Sequence, residues 1–300
     1  MHIRYGCRID VICDAPTLLV TTLDIHPSRR GDITMADSMV ARALRHVRIA
    51  VPTETFLDGF GNCRRRLTMP AGGVILRAQG IIHHSGFAED SNPDTKAVPP
   101  EELPVALLPF LDPSCFCETD KLAGVALRLF GTTPNGWDTV RAICDFAQRH
   151  IRFNSRLADV TQSAFEVFQS EVGVSRDYAH LAIALCRCLN IPARYCWGYL
   201  PANGADPMES EQTKSAWFEA YLGDRWWTFD ARHNAPRIGH ILIAWGRDAG
   251  DTPALRPFAS CRIRLFRMLS EEVDGARYPI SSARRREHSA RQGLFAEARR

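Results

Sequence analysis

The run GVSRDYAHLAIALCRCLNIPARYCWGYL, residues 173–200, constrains this chain more than any other. Over 178–189 apolar residues occupy nearly every side of a helical wheel, so the predicted helix has no face for water and must lie inside a domain. Asn190, just ahead of Ile191-Pro192, ends it, because asparagine tolerates a left-handed cap and the residue before a proline leaves helical backbone. Strand-like runs follow at 193–199, 216–222 and 225–230, with others near Ile241 and Ile263. A chain of 300 residues, 45% apolar and 24% charged, is long enough to enclose such a helix in one large domain or one of two smaller ones.

The opening residues follow a different period. Ile3, Tyr5, Cys7, Ile9 and Val11 alternate with Arg4, Gly6, Arg8 and Asp10, the pattern of a half-buried strand. Further strands are expected at 17–23, 46–51, 64–69 and 73–83, with Gly59-Phe60-Gly61-Asn62 as a turn. The polar, proline-rich segment AEDSNPDTKAVPPEELP then separates this pattern from helical spacing at 119–130 and 137–150. The expected organisation is an antiparallel β domain over 1–87, a linker over 88–104, a second domain over 105–275 and a disordered tail over 276–300. That tail holds seven Arg against two Glu, which accounts for the formal net charge of +3 and leaves the remainder slightly acidic.

Several functional classes recede on these grounds. No apolar leader precedes the first strand and no run approaches the roughly 18 apolar residues of a membrane span, so the expectation is a cytoplasmic protein with no membrane partner. Ten scattered cysteines suit reduced thiols better than a disulfide framework. Cys115-x-Cys117 and Cys186-x-Cys188 lack common zinc spacing, and the second pair lies about 200° apart on a helix, so no metal site is expected. A short basic tail without interleaved aromatics is an ordinary solvated terminus, and nucleic acid is not an expected partner.

Chemistry concentrates at three positions. Ser175 enters the buried helix at or beside its N-cap, where a cysteine thiolate would gain from the helix dipole but a hydroxyl gains little. Its plain structural role is a cap, worth about 1 kcal/mol. A two-residue turn at Gly223-Asp224 sets Leu222 opposite Arg225 and Trp217 opposite Asp230. Ser215 and Asp230 then become diagonal neighbours on one sheet face, roughly 7 to 8 Å apart. A histidine at 215 could be oriented by Asp230 and serve as base for residue 175; a serine there cannot. His180 lies about 140° around the helix from Ser175 and points elsewhere. A turn after Asp230 could bring His233 in as a substitute base. Trp217 faces the Asp230 side, where it either packs or lines a groove.

The same segments resemble the transglutaminase-like superfamily of papain-type cysteine enzymes, in particular bacterial two-domain members with an N-terminal β domain. The family pattern GVCRDxAHL, CRxxxIPARYxxGYL and HAWxExYLxxRWxxFD is matched by GVSRDYAHL, CRCLNIPARYCWGYL and SAWFEAYLGDRWWTFD; DGFGN at 58–62 and CETDKL at 117–122 extend the likeness over about residues 1–275. The resemblance implies an α+β fold, with a transglutaminase-like core behind a β-sandwich-like domain. It also implies cofactor-free thiolate attack on an amide, with acyl transfer to water or an amine. The family's cysteine falls on Ser175, its histidine on Ser215 and its aspartate on Asp230. The backbone N–H of residue 175 would supply one oxyanion donor. Two of three reactive groups are replaced, so the expected function is a catalytically impaired protein that binds a peptide or protein in its groove. The alternative is a weak amide hydrolase using Ser175 with His233.

Overall fold

The computed structural model of the chain describes residues 1–35, 39–134, 136–157, 159, 161–201 and 214–274. Seven strands come first: β1 (His2–Ile12), β2 (Thr17–Thr21), β3 (Ile33–Met35), β4 (Val40–Ala43), β5 (Glu54–Leu57), β6 (Cys63–Met69) and β7 (Val74–His83). The alternation in β1 is real, with Ile3, Tyr5, Cys7, Ile9 and Val11 all buried. Each large apolar side chain of this kind stabilises the fold by about 1.5–3 kcal/mol. Asp10 departs from the pattern. It is buried too, and satisfies its carboxylate with Arg8 at 3.1 Å and Arg264 at 2.7 Å. The strand expected at 46–51 is not one: β4 lies earlier, and the chain turns back on it through Ala43 N–H to Ile49 O and Val51 N–H to Ala41 O. Val47 and Ile49 remain exposed there, so their apolar character reflected no buried face.

Next come α1 (Thr119–Phe130), α2 (Trp137–His150), β8 (Arg152–Phe153), α3 (Ala164–Ser170), β9 (Val172–Gly173) and α4 (Ser175–Cys188). The strands β10 (Ala193–Tyr199), β11 (Lys214–Leu222), β12 (Arg225–Phe229) and β13 (Ile241–Gly246) form a separate antiparallel sheet ordered β12-β11-β10-β13. From Asp177 to Arg187 every residue of α4 is buried, as its all-round apolar pattern required, and Asn190 takes a positive φ of 59° at its end. Gly198 lets β13 approach β10 closely, because a Cβ there would stand 1.9 Å from Ile241 O.

Two final strands, β14 (Leu255–Pro257) and β15 (Arg262–Val273), do not join that core. β14 pairs with β2, and β15 runs antiparallel to β1 along its whole length, giving sheet orders β14-β2-β6-β5 and β15-β1-β7-β3 with β4 also on β7. The unit expected over 105–275 is thus corrected: its last strands complete the N-terminal sheets, a non-local pairing that no local pattern announces. The segment expected as a linker makes backbone contacts with the elements that follow it. Lys96 bridges to Gly136, Thr95 O accepts from Trp137 N–H, and Lys96 O accepts from Gly223 N–H. The arginine tail lies outside the described residues. Among those described, no helix is long and apolar enough to cross a membrane, and no group of three or more His, Cys, Asp or Glu is placed to hold a metal ion.

Candidate functional site

The start of α4 is built around Asp177, and Ser175 is not its cap. The helix begins at Ser175 itself, Val174 is the N-cap, and the Asp177 carboxylate folds back to accept Val174 N–H at 2.8 Å. Arg176 donates to the same carboxylate through Nε at 2.9 Å and Nη2 at 2.6 Å. Burial pushes the Asp177 carboxyl up, against the pull of Arg176 and the Val174 N–H. Gly173 makes this fold-back feasible, since a Cβ on it would lie 2.7 Å from Asp177 Cβ. The GVSRD sequence is therefore a device for fixing a helix entrance.

That leaves the Ser175 hydroxyl free to face across to β11. Its Oγ accepts from Ala216 N–H at 3.3 Å, which brings the beginnings of α4 and β11 together. No hydrogen bond among the described residues links it to a histidine. Ser215, the neighbouring position, is buried, and its Oγ has no hydrogen-bond partner among the described residues.

Hairpin register follows the two-residue turn as counted, with Leu222 opposite Arg225 and Phe218 opposite Phe229. Gly223 supplies the positive φ, 62°, that such a turn needs. β12 stops at Phe229, so Asp230 opens a turn whose carboxylate accepts Arg232 N–H at 3.0 Å and His233 N–H at 3.1 Å. The turn swings the His233 ring onto Asp230, Nδ1 to Oδ2 at 2.6 Å. His240 Nε2 stands 3.9 Å from the same oxygen, an ion-pair distance too long for a hydrogen bond. Burial opposes ionisation of Asp230, but the two histidines outweigh it and hold the carboxyl well below the usual carboxylate range.

His240 and Glu89 were not visible in the sequence as parts of this site. His240 is buried against Trp217, ring centroids 4.5 Å apart, and its Nδ1 lies 3.3 Å from Glu89 Oε1. Trp217 is thereby sealed in the interior and packs against His240. Burial alone would lower the His240 pKa, yet Asp230 and Glu89 together raise it. Glu89 sits in the segment read as a linker, and a lone histidine before a strand carries no local signal; only tertiary packing joins them. Beside them is a cavity of about 40 Å³ bordered by Trp137, Arg141, Asp230, Arg237 and His240. His180 points away, as its helical phase required: buried and stacked on Phe116, its Nε2 accepts Ala249 N–H at 3.2 Å. Burial and two nearby arginines keep it neutral.

A histidine raised by carboxylates stabilises the fold below its unfolded pKa of about 6.5 and loses that contribution as pH climbs through its folded value. We therefore expect His240→Gln to be most destabilised relative to the native chain between about pH 5 and 6.5, with the gap narrowing at more alkaline pH. Urea denaturation across that range reads it, and a gap that widens with alkalinity contradicts it.

Comparison with known proteins gives a consistent outcome. Residues 124–231, from within α1 to just past Asp230, match the family model of the transglutaminase-like superfamily. A crystal structure of a candidate cysteine protease from Cytophaga hutchinsonii shares the fold with a TM-score of 0.77 and 28% identity, covering 91% of each chain. An uncharacterised protein of Mycobacterium bovis is 25% identical over 250 residues, 76% of this chain and 80% of its own length. An uncharacterised protein of Mycobacterium leprae is 29% identical over 126 residues, 41% of this chain; the match spans just 45% of that relative. The match spans α4 with Ser175, β11 with Ser215 and the turn that opens at Asp230, and on an α+β fold with a papain-type core it identifies residues 124–231 as a transglutaminase-like superfamily domain, similar in structure to a candidate cysteine protease.

Proposed function

We propose that this chain is a catalytically impaired transglutaminase-like protein that binds a peptide or protein segment. The observation that carries the reading is the environment of Ser175: its hydroxyl accepts a backbone N–H of β11 and has no histidine bonded to it among the described residues. An unassisted hydroxyl is a poor nucleophile at neutral pH, and without a base the acylation step has nowhere to send its proton. Asp230 meanwhile holds His233 and His240 while Ser215 contributes no imidazole. The helix N-terminus that would face a bound carbonyl is retained, and that supports binding of an amide-bearing ligand.

A weakly active amide hydrolase is the competing reading. The 2.6 Å contact between His233 and Asp230 favours it, since it reproduces the orienter-and-base half of a triad. One experiment separates the two. A pool of casein peptides is incubated with the native chain and with Ser175→Ala, and both new amino termini and peptide retained on immobilised protein are measured. Retention by both proteins with equal, background cleavage is the expected result. Cleavage by the native chain ten-fold or more above Ser175→Ala establishes the hydrolase, and absence of retention removes the binding role.

A further inference from the structure

Two connectors cross side by side between the N-terminal sheets. Residues 13–16 lead from β1 to β2, and residues 258–261 lead from β14 to β15. They are held antiparallel at both ends: Ile12 pairs with Arg262 at one, while at the other Pro257 pairs with Leu19 and Phe258 N–H reaches Leu18 O at 3.0 Å. One step past Ile12 and Arg262, the last pair of the β1–β15 register, come Cys13 and Cys261, which a continued register would set opposite each other. Residues facing each other across antiparallel chains have Cα atoms about 4.5–5.5 Å apart, inside the span a disulfide bridges. The two differ in access. Cys13 is buried, its thiol donating to Pro70 O at 3.2 Å, whereas Cys261 is partly exposed and packs on the same core. All ten cysteines are free thiols.

We infer that Cys13 and Cys261 form an oxidation site that accepts a low-molecular-weight disulfide and closes into a cross-connector bond. The Cys261 thiolate attacks one sulfur of the oxidant, releasing one thiolate and leaving a mixed disulfide. The Cys13 thiolate then attacks the Cys261 sulfur and expels the second thiolate. Two protein thiols are oxidised and one external disulfide is reduced to two thiols, whose protons come from the two cysteines by way of solvent. Burial and the adjacent Cys13 push the Cys261 thiol up, so the first step is favoured by alkaline conditions. The bond would tie the end of β1 to the start of β15.

The test uses the full chain, folded, at mildly alkaline pH with oxidised glutathione. Remaining thiols are blocked, the protein is digested without reductant, and the linked peptides are read by mass spectrometry. The Cys13–Cys261 peptide is expected to be the dominant disulfide, with a melting temperature raised by on the order of 5 °C over the reduced protein. In Cys13→Ser the glutathione should remain attached to Cys261. In Cys261→Ser, which changes only a partly exposed side chain, Cys13 should stay reduced. Exposed Cys115 reports that the oxidant is active. Modification of Cys115 while Cys13 and Cys261 stay reduced overturns the inference, as does a glutathione adduct that persists on Cys261 in the native chain.

Discussion

Replacing Ser175 by cysteine and Ser215 by histidine together is expected to raise peptide-amide cleavage on the order of 100-fold or more above either single replacement, with the native chain at background. A cysteine at the first position of α4 lies where helix N–H groups and dipole favour its thiolate. That gain is incomplete without a proton acceptor, and nucleophile and base act as one unit, so each single change should recover little. The contact between Ser175 Oγ and Ala216 N–H places the two sites close enough to cooperate. A buried histidine at 215 also adds volume, at a cost of roughly 1–3 kcal/mol if the surroundings resist. Initial rates on the casein-peptide pool, together with alkylation rates of residue 175, measure the outcome. A folded double variant no faster than Ser175→Cys would mean that the missing base is not what silences the site.

Arg187→Met is expected to cost about 3–5 kcal/mol of stability, read from the midpoint of urea unfolding. The guanidinium is buried at the end of α4 and donates to Ala193 O, Asp112 O, Arg247 O and Ser114 Oγ, at distances from 2.6 to 3.2 Å. It therefore gathers β10, the segment before α1 and the turn after β13 around one planar group. Methionine fills the stem's volume but leaves those oxygens without donors in a dry interior. Arg187→Lys should recover only part of the loss, because a point charge on a flexible stem cannot span four diverging acceptors. A change below about 1 kcal/mol would mean that water replaces the guanidinium without penalty.

Local chemistry made much of this legible. The burial of α4 followed from its composition, the β11–β12 register from a two-residue turn containing Gly223, and the entry of Ser175 at the helix start from the residues around it. Motif likeness carried the family and the α+β class. What escaped was non-local. His240 and Glu89 meet because a proline-rich segment docks against the turn before β13, and neither residue has a neighbour in sequence that signals this. The second domain was drawn too long because β15 has ordinary strand alternation and nothing in it names β1 as its partner. At the start of α4, Ser175 was expected as the cap; the structure makes Val174 the N-cap and closes the helix entrance with the Asp177 carboxylate.

The pairing of β15 with β1 also sets an order of events during synthesis. β1 leaves the ribosome long before its outer neighbour is made, so one edge of that sheet stays open until residues 262–273 have been translated. A nascent chain stalled before residue 262 would present a long, unpaired strand edge with one apolar face, a natural target for chaperones and a seed for aggregation.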